Sequence, residues 1–230
     1  MGSADIIKRN IREWMKMIGL SFVICHLSFS LSACSEDTGE TVEYDNWQQR
    51  NEAFFATLED SLAQNPAEWM KLKSYTKDQS LATGTATECI YVKKMPAVNI
   101  TADADKTTSP MSTDSVRVSY EGRLIPSASY PQGYIFDSRA YEKFEIKTNA
   151  TSKFTASSLV YGFTTALLHM HRGDYWRVYI PADLGYGSAQ QTAIPAYSTL
   201  IFDIVLIDFS RAGISMPVWS ARQQTFTECD

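Results

Sequence analysis

The 230-residue sequence predicts an α+β fold, a twisted antiparallel sheet wrapped over one central helix, with a helical extension ahead of it. Three observations point there. Residues 88–94, 116–124, 175–180 and 199–208 are strand-like runs of branched and aromatic residues, with apolar and polar positions alternating most clearly in 116–124. One later segment, 157–171, instead spaces Leu159, Val160, Phe163, Leu167 and Met170 as a helix would. Between these segments, aromatic or branched residues stand next to Gly, Pro or Asp, the composition of stiff turns at strand ends.

Taken in order, residues 45–63 carry Trp47, Phe54, Phe55, Leu58 and Leu62 at helical spacing, with Asp45 or Asn46 as N-cap and Asn65-Pro66 as the stop. The aromatic stripe of this amphipathic helix is expected to dock on the neighbouring domain. Residues 66–80, with Trp69, Met70 and Leu72, predict a second short helix, and 81–86 a linker. In 88–94, Cys89 and Tyr91 alternate with Ile90 and Val92 as the first strand; 99–115, rich in Thr, Asp and Ser, reads as a loop before the strand 116–124. Pro126, Pro131 and Gly133 then break the pattern, and 144–146 and 153–154 are short strand candidates. Ser157-Ser158 is expected to cap the central helix and Gly173 to close it, after which 175–180 and 199–208 complete the sheet.

The ends of the chain concern location. Lys8, Arg9, Arg12 and Lys16 precede an apolar stretch, 17–33, which is too short and too rich in Ser for a membrane span and reads as a signal peptide over 1–33. Leu31-Ser32-Ala33-Cys34 resembles the lipobox of bacterial lipoproteins, which makes Cys34 the expected lipidation site and the cell envelope, at the outer membrane, the expected location. An ordinary cleavable signal and an uncleaved helix are the alternatives. Ser35 to Glu40 is polar and acidic, a tether, and leaves open whether the protein faces the periplasm or the outer surface. The organisation is then a leader over 1–33, a tether and helical region over 34–85, a folded domain over 86–210 and a tail over 211–230.

The full chain has 21 basic and 26 acidic residues, a net charge of −5; the leader removes four basic and two acidic residues and leaves −7. An acidic chain is a poor partner for nucleic acid. Of the four cysteines, Cys25 leaves with the leader and Cys34 is the anchor, so Cys89 and Cys229 either pair in an oxidising envelope or remain two free thiols.

Four runs occur in sequence: V-R-V-S-Y-E-G-R-L at 116–124, Y-I-F-D-S at 134–138, G-D-Y-W-R-V-Y-I-P-A-D-L-G-Y-G at 173–187, and A-I-P-A-Y-S-T-L-I-F-D-I-V-L-I at 193–207. In letters and spacing they resemble the FKBP-type peptidyl-prolyl cis-trans isomerases, over residues 86–209. The resemblance implies an FKBP-like sheet over one helix and a cofactor-free isomerase whose partners are proline-containing polypeptides. Tyr120, Phe136, Asp137, Tyr186 and Phe202 would be its catalytic residues: Tyr120, Phe136 and Phe202 as pocket wall, Asp137 at the mouth, and Tyr186 directed at the substrate carbonyl. Leu159, Val160, Phe163 and Ile194 would bind substrate, with Phe163 as the base and Ile194 over the proline ring.

Three positions depart from that family: Phe163 stands where Trp is common, Ser152 where an aromatic precedes Phe154 by two, with Phe144 as a substitute, and 188–193 lacks the usual aromatic or His. They keep a second reading open, a catalytically weak peptide-binding module or holdase chaperone. A third is a structural component of a surface complex. His169 and His171, near a helix end beside Arg172, read as favourable charge there rather than as a metal pair, and no metal, phosphate-loop or nucleophile motif is present. The 45–80 region is a candidate partner or homodimer surface.

Overall fold

The computed structural model describes residues 43–81, 84–98, 100, 107–139 and 150–216. In chain order the regular elements are helix α1 (Trp47–Gln64), strands β1 (Trp69–Lys73), β2 (Cys89–Met95), β3 (Ser115–Arg123), β4 (Ile135–Ser138) and β5 (Ser152–Thr155), helix α2 (Tyr161–Leu167), and strands β6 (Tyr175–Ile180) and β7 (Leu200–Ser210). The described strands form one antiparallel sheet in the order β1-β2-β6-β7-β3-β4, with β5 beside β3. β4 and β5 share one edge of β3: β5 pairs with its first half from Ser115 to Val118, β4 with its second from Glu121 to Arg123.

The period of two in β3 and β7 sorts their side chains to opposite faces. Val116, Val118 and Tyr120 of β3 and Leu200, Phe202, Ile204 and Leu206 of β7 join Phe163, Ala166 and Leu167 of α2 in the main core. On the other face, Arg177 grips Asp203 with two hydrogen bonds, Nε to Oδ1 at 2.7 Å and Nη2 to Oδ2 at 2.8 Å, and Arg123 reaches the same carboxylate at 3.2 Å while pairing with Glu121. A one-residue slip of β7 would turn Asp203 into the core and Phe202 out of it, so this charged cluster and the apolar face specify the same register.

The aromatic stripe of α1 packs on the chain itself. Phe55 and Leu58 form a smaller core with Tyr91, flanked by Trp69 and Tyr179, whose rings stack at 5.4 Å and 19°. Neither expected cap acts through its side chain: Asn46 is the N-cap residue in a left-handed conformation, without a side-chain capping bond.

Two elements differ from expectation. Residues 66–80 hold no helix; Trp69, Met70 and Leu72 lie in β1, which pairs with β2 from Trp69 opposite Lys93 to Lys73 opposite Cys89. A short run beside an unpaired strand edge satisfies its own backbone groups and those of β2 at once, which outweighs weak helical spacing. The central helix is also shorter than 157–171. Ser158 Oγ donates to the Thr155 carbonyl at 2.8 Å instead of capping, Leu159 is extended, and the N-cap of α2 is Val160. The helix stops at Leu167, and Gly173, at φ +89°, turns the chain toward β6. Cys34, residues 144–146 with Phe144, and Cys229 lie outside the described residues; Cys89 is a buried free cysteine.

Candidate active site

Where β3, β7 and the start of α2 meet, three aromatic rings form a floor. Phe163 and Phe202 meet edge to face with centroids 5.0 Å apart, and Tyr120 lies 5.9 Å from Phe163 and 6.3 Å from Phe202. Phe136 of β4 closes one side, 5.5 Å from Phe202 at 86°. Edge-to-face contacts add about 0.5–1.5 kcal/mol per pair beyond area burial, so the cluster is stiff as well as apolar. Gly122 makes this packing possible: a Cβ there would stand 2.5 Å from the Phe202 ring and 2.6 Å from that of Phe136.

Polar side chains also line the hollow, among them Asp137, Ser158, Gln191 and Thr192. The Tyr120 hydroxyl donates to Asp137 Oδ2 at 2.6 Å, and burial, then this bond, pushes the phenol up to about 12. Tyr120 therefore stays protonated through the physiological range and holds the exposed Asp137 carboxylate at the mouth. The opposite rim is the segment between β6 and β7, built on a 3₁₀ turn (Ala182–Leu184) and a tight bridge between Gln191 and Ile194. It brings Tyr186, 40% exposed, and Ile194, 6% exposed, to the same hollow.

The resulting cavity is about 450 Å³. The nine residues expected at the pocket all line it: Tyr120, Phe136, Asp137, Leu159, Val160, Phe163, Tyr186, Ile194 and Phe202. Leu159 and Val160 do so from the extended approach to α2 rather than from the helix itself. Phe154, Ser158 and residues 191–193 also line it and were not singled out. For Phe154 the signal was available: it pairs with Val116, whose period of two leads to Tyr120 on the same face, 6.1 Å ring to ring. Residues 191–193 fall in the 188–193 loop, which lacks the aromatic or His that would mark it as pocket lining. His169 and His171 sit past the end of α2 with local partners, the Thr165 carbonyl at 2.8 Å and Asp174 at 3.4 Å.

A model of the FKBP-type peptidyl-prolyl cis-trans isomerase family matches residues 106–207. The protein named macrophage infectivity potentiator in Trypanosoma cruzi is 30% identical over 199 residues, which span 86% of this chain and 82% of that one. The chain belongs to the FKBP-type peptidyl-prolyl cis-trans isomerase family. Another relative, outer membrane protein MIP of Legionella longbeachae, is 36% identical over 112 residues, 48% of this chain and 43% of its own. Among solved structures the chain is similar to FkpA from Escherichia coli, 20% identical, covering 92% of this chain and 75% of that one with a TM-score of 0.49. The family match begins after β2, so α1, β1 and β2 of this FKBP-type chain lie outside it.

Proposed function

We propose that the chain catalyses cis-trans isomerisation about Xaa-Pro peptide bonds, with the aromatic cup as its site. What carries the reading is the convergence of residues from β3, β4, β7, the approach to α2 and the 181–199 segment on one hollow whose floor is aromatic.

The chemistry needs no nucleophile. Rotation about the peptide bond is slow because amide resonance is lost on the way, a barrier of about 18–20 kcal/mol. The twisted amide separates less charge than the planar one, so a site that strips water from the imide favours the twisted state over the ground state. Phe163, Phe202, Phe136 and Tyr120 supply that surface, with Ile194 over the proline ring. Tyr186 donates from the rim to the substrate carbonyl, and Asp137, held by Tyr120, engages peptide polar groups at the mouth. Each 1.36 kcal/mol of differential stabilisation is worth tenfold in rate.

A protease-coupled isomerisation assay on an Ala-Xaa-Pro-Phe peptide tests this, with the chain starting at residue 35. Wild type accelerates the slow phase, and Phe136→Ala and Tyr186→Phe are slower. If all three are equally inert yet hold unfolded chains in solution, the cup is a holdase grip instead.

The finer reading is an envelope lipoprotein that assists exported proteins. Its supports are Leu31-Ser32-Ala33-Cys34 and the outer-membrane name of the Legionella relative. Labelling with an alkynyl fatty acid is expected for wild type and lost in Cys34→Ala. Self-association through the 45–80 region would use the solvent face of α1, since Trp47, Phe55 and Leu58 are buried in the chain's own cores; sedimentation velocity decides between monomer and dimer.

A further inference from the structure

The segment bearing both Tyr186 and Ile194 is tied from behind to α1, an element outside the family match. The Trp47 indole N–H donates to Ser198 Oγ at 2.8 Å in the interior, and the Ser198 hydroxyl donates in turn to the Pro195 carbonyl at 2.6 Å. Pro195 follows Ile194 directly. One turn along α1, Asn51, 2% exposed, accepts the Thr199 backbone N–H at 2.7 Å and donates to the Trp47 carbonyl at 2.7 Å. Between the two ties stands Tyr197 at φ 60°, the left-handed region, with its N–H on the Gly187 carbonyl at 2.8 Å, next to Tyr186.

A bulky residue held in that region is strained and persists only where its surroundings over-determine the backbone. The surroundings here are the two ties to α1 together with the Tyr197–Gly187 bond. Phe55 and Leu58 already fasten the helix to the sheet by apolar contact, which is non-directional. The buried indole donor and carboxamide add what apolar contact lacks, a fixed position for the Pro195 carbonyl and the Thr199 amide.

We propose that α1 is a brace for the rim of the cup, in which Trp47 and Asn51 are positioning residues that hold Ile194 and Tyr186 over the substrate's proline. The proposal rests on the reading of the cup as the isomerase site. Loosening the brace lets the rim sample positions off the proline ring, which weakens binding in ground and transition states alike and so raises KM more than it lowers kcat.

The test uses the chain from residue 35 and three variants: Trp47→Phe, which keeps an aromatic side chain but removes the indole's donor and part of its volume, Ser198→Ala, which breaks the same relay with almost no loss of volume, and the two combined. All are measured at a temperature where circular dichroism reports them folded. Each single variant is expected to raise KM about five- to tenfold with kcat within about twofold, as one lost buried hydrogen bond would. The double variant is expected to be little worse than either, because both break one relay. Amide exchange should quicken at Tyr197 and Thr199 in Trp47→Phe and stay unchanged in β3. Wild-type KM and wild-type exchange in the folded Trp47→Phe protein would overturn the brace. Should wild type fail to isomerise, the reading of the cup fails separately, and exchange still decides: local quickening at Tyr197 and Thr199 supports the brace, and its absence overturns it.

Discussion

In the floor of the cup, Tyr120, Phe163 and Phe202 project from regular elements and are each at most 6% exposed, whereas in the rim Tyr186 and Ile194 come from an irregular segment with two positive-φ residues, Gly187 and Tyr197. The floor is fixed by the forces that fix the fold. Its rings are part of the main core, so removing one removes stability and site together. The rim is held partly by the core, which Ile194 joins, and partly by a few directional bonds, so Tyr186 can lose position while the sheet stays intact. On the proposed reading isomerisation uses both, an aromatic surface that the core supplies and an edge that the core only partly fixes.

The largest effect that would separate the two regions is at Phe202. Phe202→Ala is expected to destabilise the protein by about 3–5 kcal/mol, the range for a buried aromatic truncated to Ala, as read from urea denaturation. Tyr186→Phe, by contrast, should leave the denaturation midpoint unchanged. A small loss at Phe202 would mean that the floor is not part of the core in the sense described.

Gly122→Ala comes next. Its methyl group would meet the Phe202 and Phe136 rings at 2.5 and 2.6 Å, and overpacking of this kind costs about 1–3 kcal/mol. Because the displaced rings face the cavity, the variant should also lose affinity for proline peptides, measurable by calorimetry. Unaltered peptide affinity would show that the two rings do not shape the bound state.

Tyr186→Phe should lower kcat/KM about tenfold, the worth of one hydrogen bond of about 1 kcal/mol or slightly more, with thermal stability unchanged. A matching fall in melting temperature would move Tyr186 from the rim to the structural side of the comparison.

A further effect is in alkaline stability. Burial, then the Asp137 bond, pushes the Tyr120 phenol up to about 12, and burial, then the bond to Glu59, does the same for Tyr91. A folded-state value above the unfolded one, near 10, means that the folded protein retains these protons longer. Their contribution is complete below about pH 10 and is lost between about pH 10 and pH 12, so stability should fall across that window. Tyr120→Phe should flatten its share of the fall; an identical slope would contradict the assignment.

The same division explains what could be read in advance. β3, β6 and β7 declare themselves by length, branching and alternation, and the aromatics they place on one face follow from a period of two. β1 was hidden because five residues with Trp69, Met70 and Leu72 fit a helix as readily as an edge strand, and only the open edge of β2 decides. The start of α2 was misjudged for a local reason: Ser158 bonds back to Thr155, which keeps Leu159 and Val160 extended and pointed at the cavity. The ties from Trp47 and Asn51 join positions 151 and 148 residues apart, and no local pattern reports a contact of that range.

The central claim is that the cup lowers the barrier to rotation with no bond made or broken and no proton in flight. It is tested most directly by two-dimensional exchange NMR of an Xaa-Pro peptide with catalytic amounts of the chain, in water and in deuterium oxide. Accelerated cis-trans exchange is expected, with kcat/KM nearly equal in the two solvents. A solvent isotope effect of about twofold or more, the mark of general acid-base transfer, or no acceleration at all, would contradict it.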